Sequence, residues 1–452
     1  MGDRVKPKGP LEEPSDSKAP TGKESYPAHG EDLWQEVFSR RNLARALKQV
    51  ERNRGAPGPD AMTTQELRPW LHDHWPEVRQ ALGRGTYKPK PVRRVTIEKP
   101  AGGTRDLGVP NVLDRMISQA IAQILTKIFD ETFSDRSYGF RPGRSAHQAV
   151  MTAKGYVEDG YGWAIQVDLD SFFDRVQHDA LMVRVAKRVR DKRLLRLIGS
   201  YLRAGIMVGG ITQATTEGTP QGSPLSPVLS NIMLDDLDKE LERRGLRFVR
   251  YCDDITIYVT SERATGRVMG STAKFIERRL KLRVNRRKSV TGRATKLTLL
   301  GFGFFQRGGE VKVRIDPKAR KRAKERIRRL TSRRWRISMK DRIRALNRYT
   351  AGWVAYYRLV EMPRPFEDLD KRLRRRLRQV RWKEWKRPLT RRRRLIALGI
   401  PRQSANRWSN TRKGYWRIAG SPPLQRALPN GYWQDLGLRG FSEPYERLRV
   451  KL

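Results

Sequence analysis

The chain has 452 residues and carries 96 lysines and arginines against 48 aspartates and glutamates, a formal net charge of +48. This excess is far larger than solubility requires, and it predicts a polyanionic partner, of which nucleic acid is the most common. No stretch approaches the roughly 20 apolar residues of a membrane span, and the first residues lack a signal-peptide core. With one cysteine, Cys252, and hence no intrachain disulfide, we expect a cytoplasmic protein without a membrane partner.

The N-terminal part divides into a polar leader, helices and a hairpin. Residues 1–30 are rich in proline, lysine, glutamate and serine, which predicts a disordered leader. Apolar residues then recur at helical spacing from residue 34 to residue 50. Alternating residues from 92 to 99, a turn at 100–103 and a return through Arg105 predict a β-hairpin. A helix with an apolar stripe follows at 114–129.

Two strand ends carry carboxylates. A short apolar strand, Trp163–Val167, stops at Asp168, and farther on two β-type runs flank a tight turn that holds Asp253 and Asp254. Adjacent carboxylates repel each other, so this is either an ordinary solvated turn rich in aspartate or a site for a cation. Three carboxylates from neighbouring strands can hold two Mg²⁺ ions. Such a site activates a 3′-hydroxyl and neutralises a pyrophosphate leaving group in nucleotidyl transfer.

The second half of the chain changes in character along its length. A loop at 218–227 leads into an amphipathic helix, and strands follow up to residue 303; this mixed order is typical of an α+β fold. Residues 318–394 hold 31 lysines and arginines against 7 aspartates and glutamates but keep apolar helical spacing. We therefore predict a folded helical bundle whose basic faces contact phosphates and bases. Residues 395–452 are less charged and are typical of a small separate module.

Five motifs, taken in order, resemble those of the group II intron reverse transcriptases, also called intron maturases. They are YGFRPGRSAH from Tyr138, the strand ending at Asp168, PQGSPLSP from Pro220, YCDD from Tyr251 and LGF from Leu300. The resemblance covers about residues 35–452 and implies an α+β right-hand polymerase fold. Its parts would be fingers and palm over 31–310, a helical thumb or maturase domain over 311–394, and a C-terminal maturase and DNA-binding module over 395–452.

The resemblance also implies roles for individual residues. Asp168, Asp253 and Asp254 would be catalytic and would hold two Mg²⁺ ions. The other implied sites are the triphosphate clamp Lys99 and Arg105, the sugar gate Phe173, the nucleotide and template contacts Gln221 and Gly222, the supporting Lys288, the primer grip Leu300, Gly301 and Phe302, and the RNA-binding Arg374, Arg375 and Arg378. For several of these a plain alternative stays open, because Phe173 can be a core aromatic, and Lys99, Arg105 and Lys288 can be surface cations.

Three features depart from the family pattern. Cys252 stands where relatives most often have alanine, and Asp106 stands where proline is common. All five histidines precede residue 179, and Cys252 is the single cysteine. We therefore expect the form without a C-terminal His-Asn-His endonuclease, so that target DNA would be nicked or opened by something else.

The resemblance implies an RNA-directed DNA polymerase, a nucleotidyltransferase that binds group II intron RNA and promotes splicing and intron mobility. Its partners would be an RNA template with a DNA primer, dNTPs and target DNA, in a bacterial cytoplasm or nucleoid. One alternative is a splicing maturase that only binds RNA, which the intact carboxylate set disfavours. Another is a domesticated polymerase that acts in DNA repair or defence, which the residues leave open.

Overall fold

The structure is a computed structural model that describes residues 33–98, 103–208, 211–213, 217–219 and 222–449. The expected disordered leader, Lys99 and Gln221 lie outside the described residues, and Arg105 is described by its backbone alone.

The first half of the chain is mixed helix and strand, as predicted. Its elements are α1 (Leu33–Val37), α2 (Arg40–Asn53), α3 (Leu67–Arg84), β1 (Val92–Glu98), β2 (Thr104–Val109), α4 (Val112–Phe129), a 3-10 turn (Asp130–Thr132), α5 (Ala146–Glu158), β3 (Trp163–Val167), α6 (Phe172–Arg175), α7 (His178–Ala186), α8 (Lys192–Leu202), β4 (Ile206–Val208) and β5 (Ile211–Gln213). The predicted hairpin is β1 and β2, which pair antiparallel with Thr96 opposite Asp106. β4 extends this fingers sheet by running parallel to β1.

The middle of the chain completes a second, central sheet. Its elements are α9 (Ser226–Arg243), β6 (Arg247–Tyr251), β7 (Asp254–Val259), α10 (Glu262–Phe275) with a π-helical end (Ile276–Leu280), β8 (Val290–Arg293), β9 (Thr298–Leu299), β10 (Phe302–Arg307) and β11 (Glu310–Ile315). The palm sheet has the order β6-β7-β3-β8 with every pairing antiparallel. Its apolar face is buried with α4 and α9 in one cluster that includes Ile165, Ile257, Ile121 and Met233. This buried apolar area is the main source of stability for the palm.

The C-terminal third is helical, as predicted. It consists of α11 (Pro317–Leu330), α12 (Met339–Tyr357), α13 (Arg364–Glu384), α14 (Pro388–Ala397), α15 (Arg402–Ser409), α16 (Tyr415–Ile418), α17 (Pro422–Ala427), α18 (Asn430–Asp435) and α19 (Ser442–Arg449). The apolar stripe that includes Leu369, Leu373 and Leu377 is fully buried. No helix in the described ranges is both long and apolar enough to cross a bilayer.

Residues after 394 share the interior of the helical region, which differs from the prediction of a separate module. Phe366 of α13 stacks on Tyr445 of α19 with ring centroids 4.0 Å apart. Asp370 of α13 accepts hydrogen bonds from the backbone N–H groups of Phe441 and Ser442 at 2.8 and 2.9 Å. Trp433 is fully buried in the same apolar cluster. Composition separates residues 318–394 from the residues that follow because the surface charge changes there, whereas the apolar core continues across both segments.

A buried ion pair joins α9 to β6 beneath the carboxylate turn. Arg250 and Asp238 are both inaccessible to solvent, and two hydrogen bonds of 2.8 and 2.6 Å connect them side by side. The remaining guanidinium nitrogen, Nη1, donates to Asn231 Oδ1 at 2.9 Å and to the Cys252 carbonyl at 3.0 Å. Removing one partner of such a pair leaves an uncompensated charge in the interior.

We predict that Asp238→Ala lowers the free energy of unfolding by about 3–5 kcal/mol, because it strands the Arg250 charge in the core. Denaturant titration of both proteins measures this difference. Lys127→Ala is the matched control, since it breaks an exposed pair with Glu36 of 2.8 Å and should cost less than about 1 kcal/mol. Equal costs for the two variants would contradict the importance of the buried pair.

Candidate active site

The carboxylate turn is a two-residue β-hairpin turn. Tyr251 pairs with Asp254 across the hairpin, which leaves Cys252 and Asp253 as its two central residues. Cys252 has a φ of 59°, whereas Asp253 is not among the residues with positive φ. A positive φ at the first central residue alone is typical of a type II′ turn, where glycine is preferred. The protein therefore holds a non-glycine residue in a disfavoured conformation next to two carboxylates.

Strand register brings the third carboxylate to the same place. β3 pairs antiparallel with β7, and Val167 lies opposite Ile255. The next position of this ladder therefore sets Asp168 beside Asp254. The backbone of Asp168 is fixed by the loop before β8, since its N–H donates to Ser289 Oγ at 3.0 Å and its carbonyl accepts from the Asn285 N–H at 2.8 Å.

The pKa of the Asp254 carboxyl reflects the closeness of the other two carboxylates. Its side chain is open to solvent, yet the surrounding protein raises its pKa to about 6, chiefly by desolvation and then by the charges of Asp253 and Asp168. Like charges within reach of one another disfavour ionisation until a cation neutralises them. Within the described ranges, no three acidic, histidine or cysteine side chains are already gathered as a metal-binding group.

The back of the turn is packed without space. A Cβ atom at Gly139 would lie 2.3 Å from the Cys252 nitrogen and 2.6 Å from its sulfur, so only glycine fits there. Asn231 donates to the Gly139 carbonyl at 2.9 Å and so ties this segment to the Arg250 pair. The Cys252 side chain is itself buried, and desolvation raises the pKa of its thiol to about 12. The thiol therefore stays protonated and unreactive towards oxidants.

A cavity of about 340 Å³ lies between the fingers hairpin and α6. Phe173 lines it, is 8% exposed, and packs edge-on against Phe172 with ring centroids 5.1 Å apart. Phe173 is thus both a core aromatic and a wall of the cavity.

Gly222 has a φ of 129°, and a Cβ atom there would lie 2.6 Å from the Gly108 carbonyl oxygen. Glycine is required at 222 because the loop passes directly over the fingers strand.

The predicted primer grip is a second two-residue turn. Leu300 and Gly301 connect β9 to β10 with φ values of 52° and 82°, and Phe302 lies opposite Leu299. Two positive φ values are typical of a type I′ turn. The Asp316 N–H donates to the Gly301 carbonyl at 2.9 Å, and Phe302 is fully buried. The turn is therefore anchored on both sides.

Comparison with known proteins gives two domain matches. Residues 97–304 match the model of the reverse transcriptase (RNA-dependent DNA polymerase), and residues 320–397 match the group II intron maturase-specific domain. Protein YkfC of Escherichia coli is 30% identical over 303 residues, which cover 58% of this chain and 78% of that protein. The chain belongs to the group II intron reverse transcriptase family. The family activity is RNA-directed DNA polymerisation, and its members use divalent cations.

Two other relatives of this reverse transcriptase match over shorter stretches. The group II intron-encoded protein LtrA of Lactococcus lactis is 38% identical over 175 residues, covering 38% of this chain and 29% of LtrA. The putative COX1/OXI3 intron 2 protein of Saccharomyces cerevisiae is 40% identical over 169 residues, covering 37% of this chain and 20% of that protein. The chain therefore spans less than a third of either relative.

Two predicted fingers and palm positions are now located in this reverse transcriptase. Asp106 accepts hydrogen bonds from Arg94 and, at 2.6 Å, from the Thr96 hydroxyl, so the return strand keeps a regular register without the usual proline. Lys288 is exposed, and its backbone N–H donates to Asn285 Oδ1 at 3.2 Å. It lies directly before Ser289, which bonds the Asp168 backbone.

Two of the three predicted RNA-binding arginines in the maturase helix α13 have internal partners. Arg375 donates to the Trp416 carbonyl at 3.0 Å and stacks over the Trp416 ring at 4.1 Å. Arg378 is 8% exposed and donates to the Leu428 carbonyl at 3.1 Å. These contacts orient both side chains towards the C-terminal segment, and their binding of RNA stays a prediction. Arg374 is half-buried beside a different cavity, of about 440 Å³.

A basic cavity with a volume of about 1190 Å³, which the sequence did not predict, lies beside the helical region. It runs from Glu98 at the end of the fingers strand to α11, α13 and Tyr415. Its walls carry six cations against two carboxylates: Arg328, Arg329, Arg333, Arg334, Arg376 and Lys383 against Glu98 and Glu325. The charge count of residues 318–394 signalled such a surface but could not say which helix faces form it.

We predict a pH-dependent effect of Asp254→Asn on stability without divalent cations. The folded-state pKa of about 6 lies above the ordinary 3.8, so the folded protein loses stability as the pH rises from about 4 to 6, where the unfolded chain releases the proton and the folded chain keeps it. The amide removes this loss, so the variant should melt higher than the unaltered protein at pH 7.5 but not at about pH 3.5. Asp73→Asn, exposed on α3, is the control. A melting difference that is the same at both pH values would contradict the assigned repulsion.

Proposed function

We propose that this reverse transcriptase copies RNA into DNA through Asp168, Asp253 and Asp254, which would hold two Mg²⁺ ions. The observation that carries the proposal is the strand register that sets Asp168 beside Asp254 at the end of a hairpin bearing Asp253. Hard oxygen ligands are those that Mg²⁺ prefers. When bound, the ions would activate the primer 3′-hydroxyl and neutralise the pyrophosphate.

We propose that the incoming dNTP lies between the fingers hairpin and the palm. Phe173 would lie beneath the sugar and exclude a 2′-hydroxyl, and its position on the wall of a cavity supports this. Gln221 and Gly222 would contact the nucleotide and template, and Lys288 would support the site. Lys99 and Arg105 would clamp the triphosphate, since two cations can bind its oxygens together.

We infer that the basic cavity holds RNA, either the template duplex or group II intron RNA. Four of its arginines, Arg328, Arg329, Arg333 and Arg334, are exposed. Exposed cations release condensed counterions when they bind phosphate, which supplies sequence-independent affinity. Arg333 also lies over the Tyr415 ring at 4.3 Å, which presents an aromatic side chain in the same wall.

We propose that target DNA binds helices α14 and α15. These helices pack together and are joined by residues 398–401, which contain Gly399 with a φ of 81°. Two helices joined by a short turn containing glycine are typical of a helix-turn-helix. The second helix exposes Arg402, Gln403, Asn406 and Arg407. These residue types read base edges in the major groove.

Asp253→Ala should abolish DNA synthesis on an RNA template with a DNA primer and Mg²⁺, because it removes a metal ligand from an already formed turn. Its cost in stability should be small, and binding of intron RNA and splicing should persist. Primer extension and splicing are measured side by side, with Asp73→Ala as a charge-matched control. Primer extension by Asp253→Ala at the unaltered rate would refute the catalytic assignment.

The same experiment separates the alternatives. An unaltered protein that promotes splicing but incorporates no dNTP would be a splicing maturase. Loss of splicing together with synthesis in a folded Asp253→Ala protein would mean that both functions share one site. A polymerase active without any effect on intron RNA would fit a role in DNA repair or defence.

Arg333→Glu and Arg407→Ala should affect different nucleic acids. Arg333→Glu places negative charge in the basic cavity, so RNA affinity should fall and the slope of log affinity against log salt should decrease by about one per lost phosphate contact. Arg407→Ala should weaken binding of duplex DNA and leave RNA binding intact. Filter binding over a salt series checks both, and each variant is the control for the other. Equal losses for RNA and DNA in both variants would contradict two separate surfaces.

A further inference from the structure

A hydrogen bond connects the maturase-region helix α12 to the predicted primer-grip turn. Tyr356, in the last turn of α12, donates its hydroxyl proton to the Leu300 carbonyl at 2.8 Å. Leu300 has a φ of 52°, a conformation that is disfavoured for leucine because its Cβ crowds the following carbonyl. The tyrosine thus holds in place a backbone group whose conformation the local sequence does not favour.

Contacts from the palm fix the end of α12. His147 of α5 donates from Nε2 to the Tyr356 carbonyl at 2.6 Å. The Tyr356 ring lies 5.4 Å from Phe302 and 5.0 Å from Tyr357. Lys154, also on α5, forms an ion pair of 3.1 Å with Glu361 just beyond the helix. The Tyr356 hydroxyl therefore has little freedom to move away from Leu300.

The Tyr356 side chain is partly buried where α12 meets the predicted primer-grip turn. Tyr356 is 37% exposed, so part of its ring faces solvent. Burial of the rest raises the pKa of its hydroxyl to about 12, which keeps the donor proton in place at any physiological pH.

We propose that Tyr356 is a positioning residue for DNA synthesis: through the Leu300 carbonyl it holds the turn that aligns the primer 3′ end with Asp168, Asp253 and Asp254. The inference deepens the proposed polymerase function and rests on it. It assigns a residue of the maturase region to the polymerase site. A shift of α12 on binding RNA would reach the primer terminus through contacts that include this hydrogen bond.

Tyr356→Phe removes the hydroxyl and keeps the ring. We expect the KM for primer–template to rise about fivefold, the ratio that follows from losing one ordinary hydrogen bond. The KM for dNTP should stay within twofold of the unaltered protein, because the proposed dNTP position does not include this hydroxyl. The melting temperature should fall by no more than about 2 °C, as expected for one hydrogen bond in a chain of this length. Tyr349→Phe is the matched control, since Tyr349 lies on the same helix and contacts Phe441 rather than the turn.

A double variant tests whether the effect passes through Leu300. Glycine adopts a positive φ without cost, so Leu300→Gly makes the turn independent of the tyrosine. Adding Tyr356→Phe to Leu300→Gly should then change the KM for primer–template by less than twofold. A full fivefold change in that background would overturn the proposal, and so would equal KM values for Tyr356→Phe and Tyr349→Phe. An unaltered protein that extends no primer would instead refute the polymerase function itself.

Discussion

The ion pair between Arg250 and Asp238 is the interaction on which the active-site geometry depends. A guanidinium can be taken fully out of water only when its donors are satisfied, and here a carboxylate, an amide oxygen and a backbone carbonyl accept from it. The carbonyl belongs to Cys252, so the guanidinium that compensates the Asp238 charge also fixes the position of the carboxylate turn. The amide belongs to Asn231, which also bonds the Gly139 carbonyl behind the turn. The turn at Cys252 and the segment behind it at Gly139 are therefore tied to one buried cation.

This rigid support is needed because the site itself is unfavourable. Cys252 occupies a conformation that suits glycine, and the carboxylates of the turn crowd Asp168. The disfavoured Cys252 conformation and the carboxylate repulsion both destabilise the folded state, and the apolar palm core and the ion pair offset this cost. The buried, protonated Cys252 thiol contributes packing only, which explains why cysteine can replace the usual alanine.

The palm was predictable because its signals are local in the sequence. Alternating apolar residues around Asp168 and Asp253 define strands, and strands of that length in an α+β order pair in few ways. The roles of arginines were not predictable in the same way. Arg375 and Arg378 lie in a strongly basic helix, yet their partners are carbonyls some 40 to 50 residues away in a segment that composition set apart. The hydrogen bond from Tyr356 to Leu300 likewise joins residues 56 positions apart, and no periodic pattern in the sequence indicates it.

The continuous interior of the C-terminal third limits how this family can exchange parts. Phe366, Leu373 and Trp433 belong to one apolar cluster, so a chain cut after residue 394 would expose core faces of α12 and α13 to water. Such a fragment would aggregate instead of acting as a shorter maturase domain. A chimera that transplants RNA specificity from one relative to another must therefore keep the segments on both sides of residue 394 together. A breakpoint between the two segments that composition suggests would divide one continuous core.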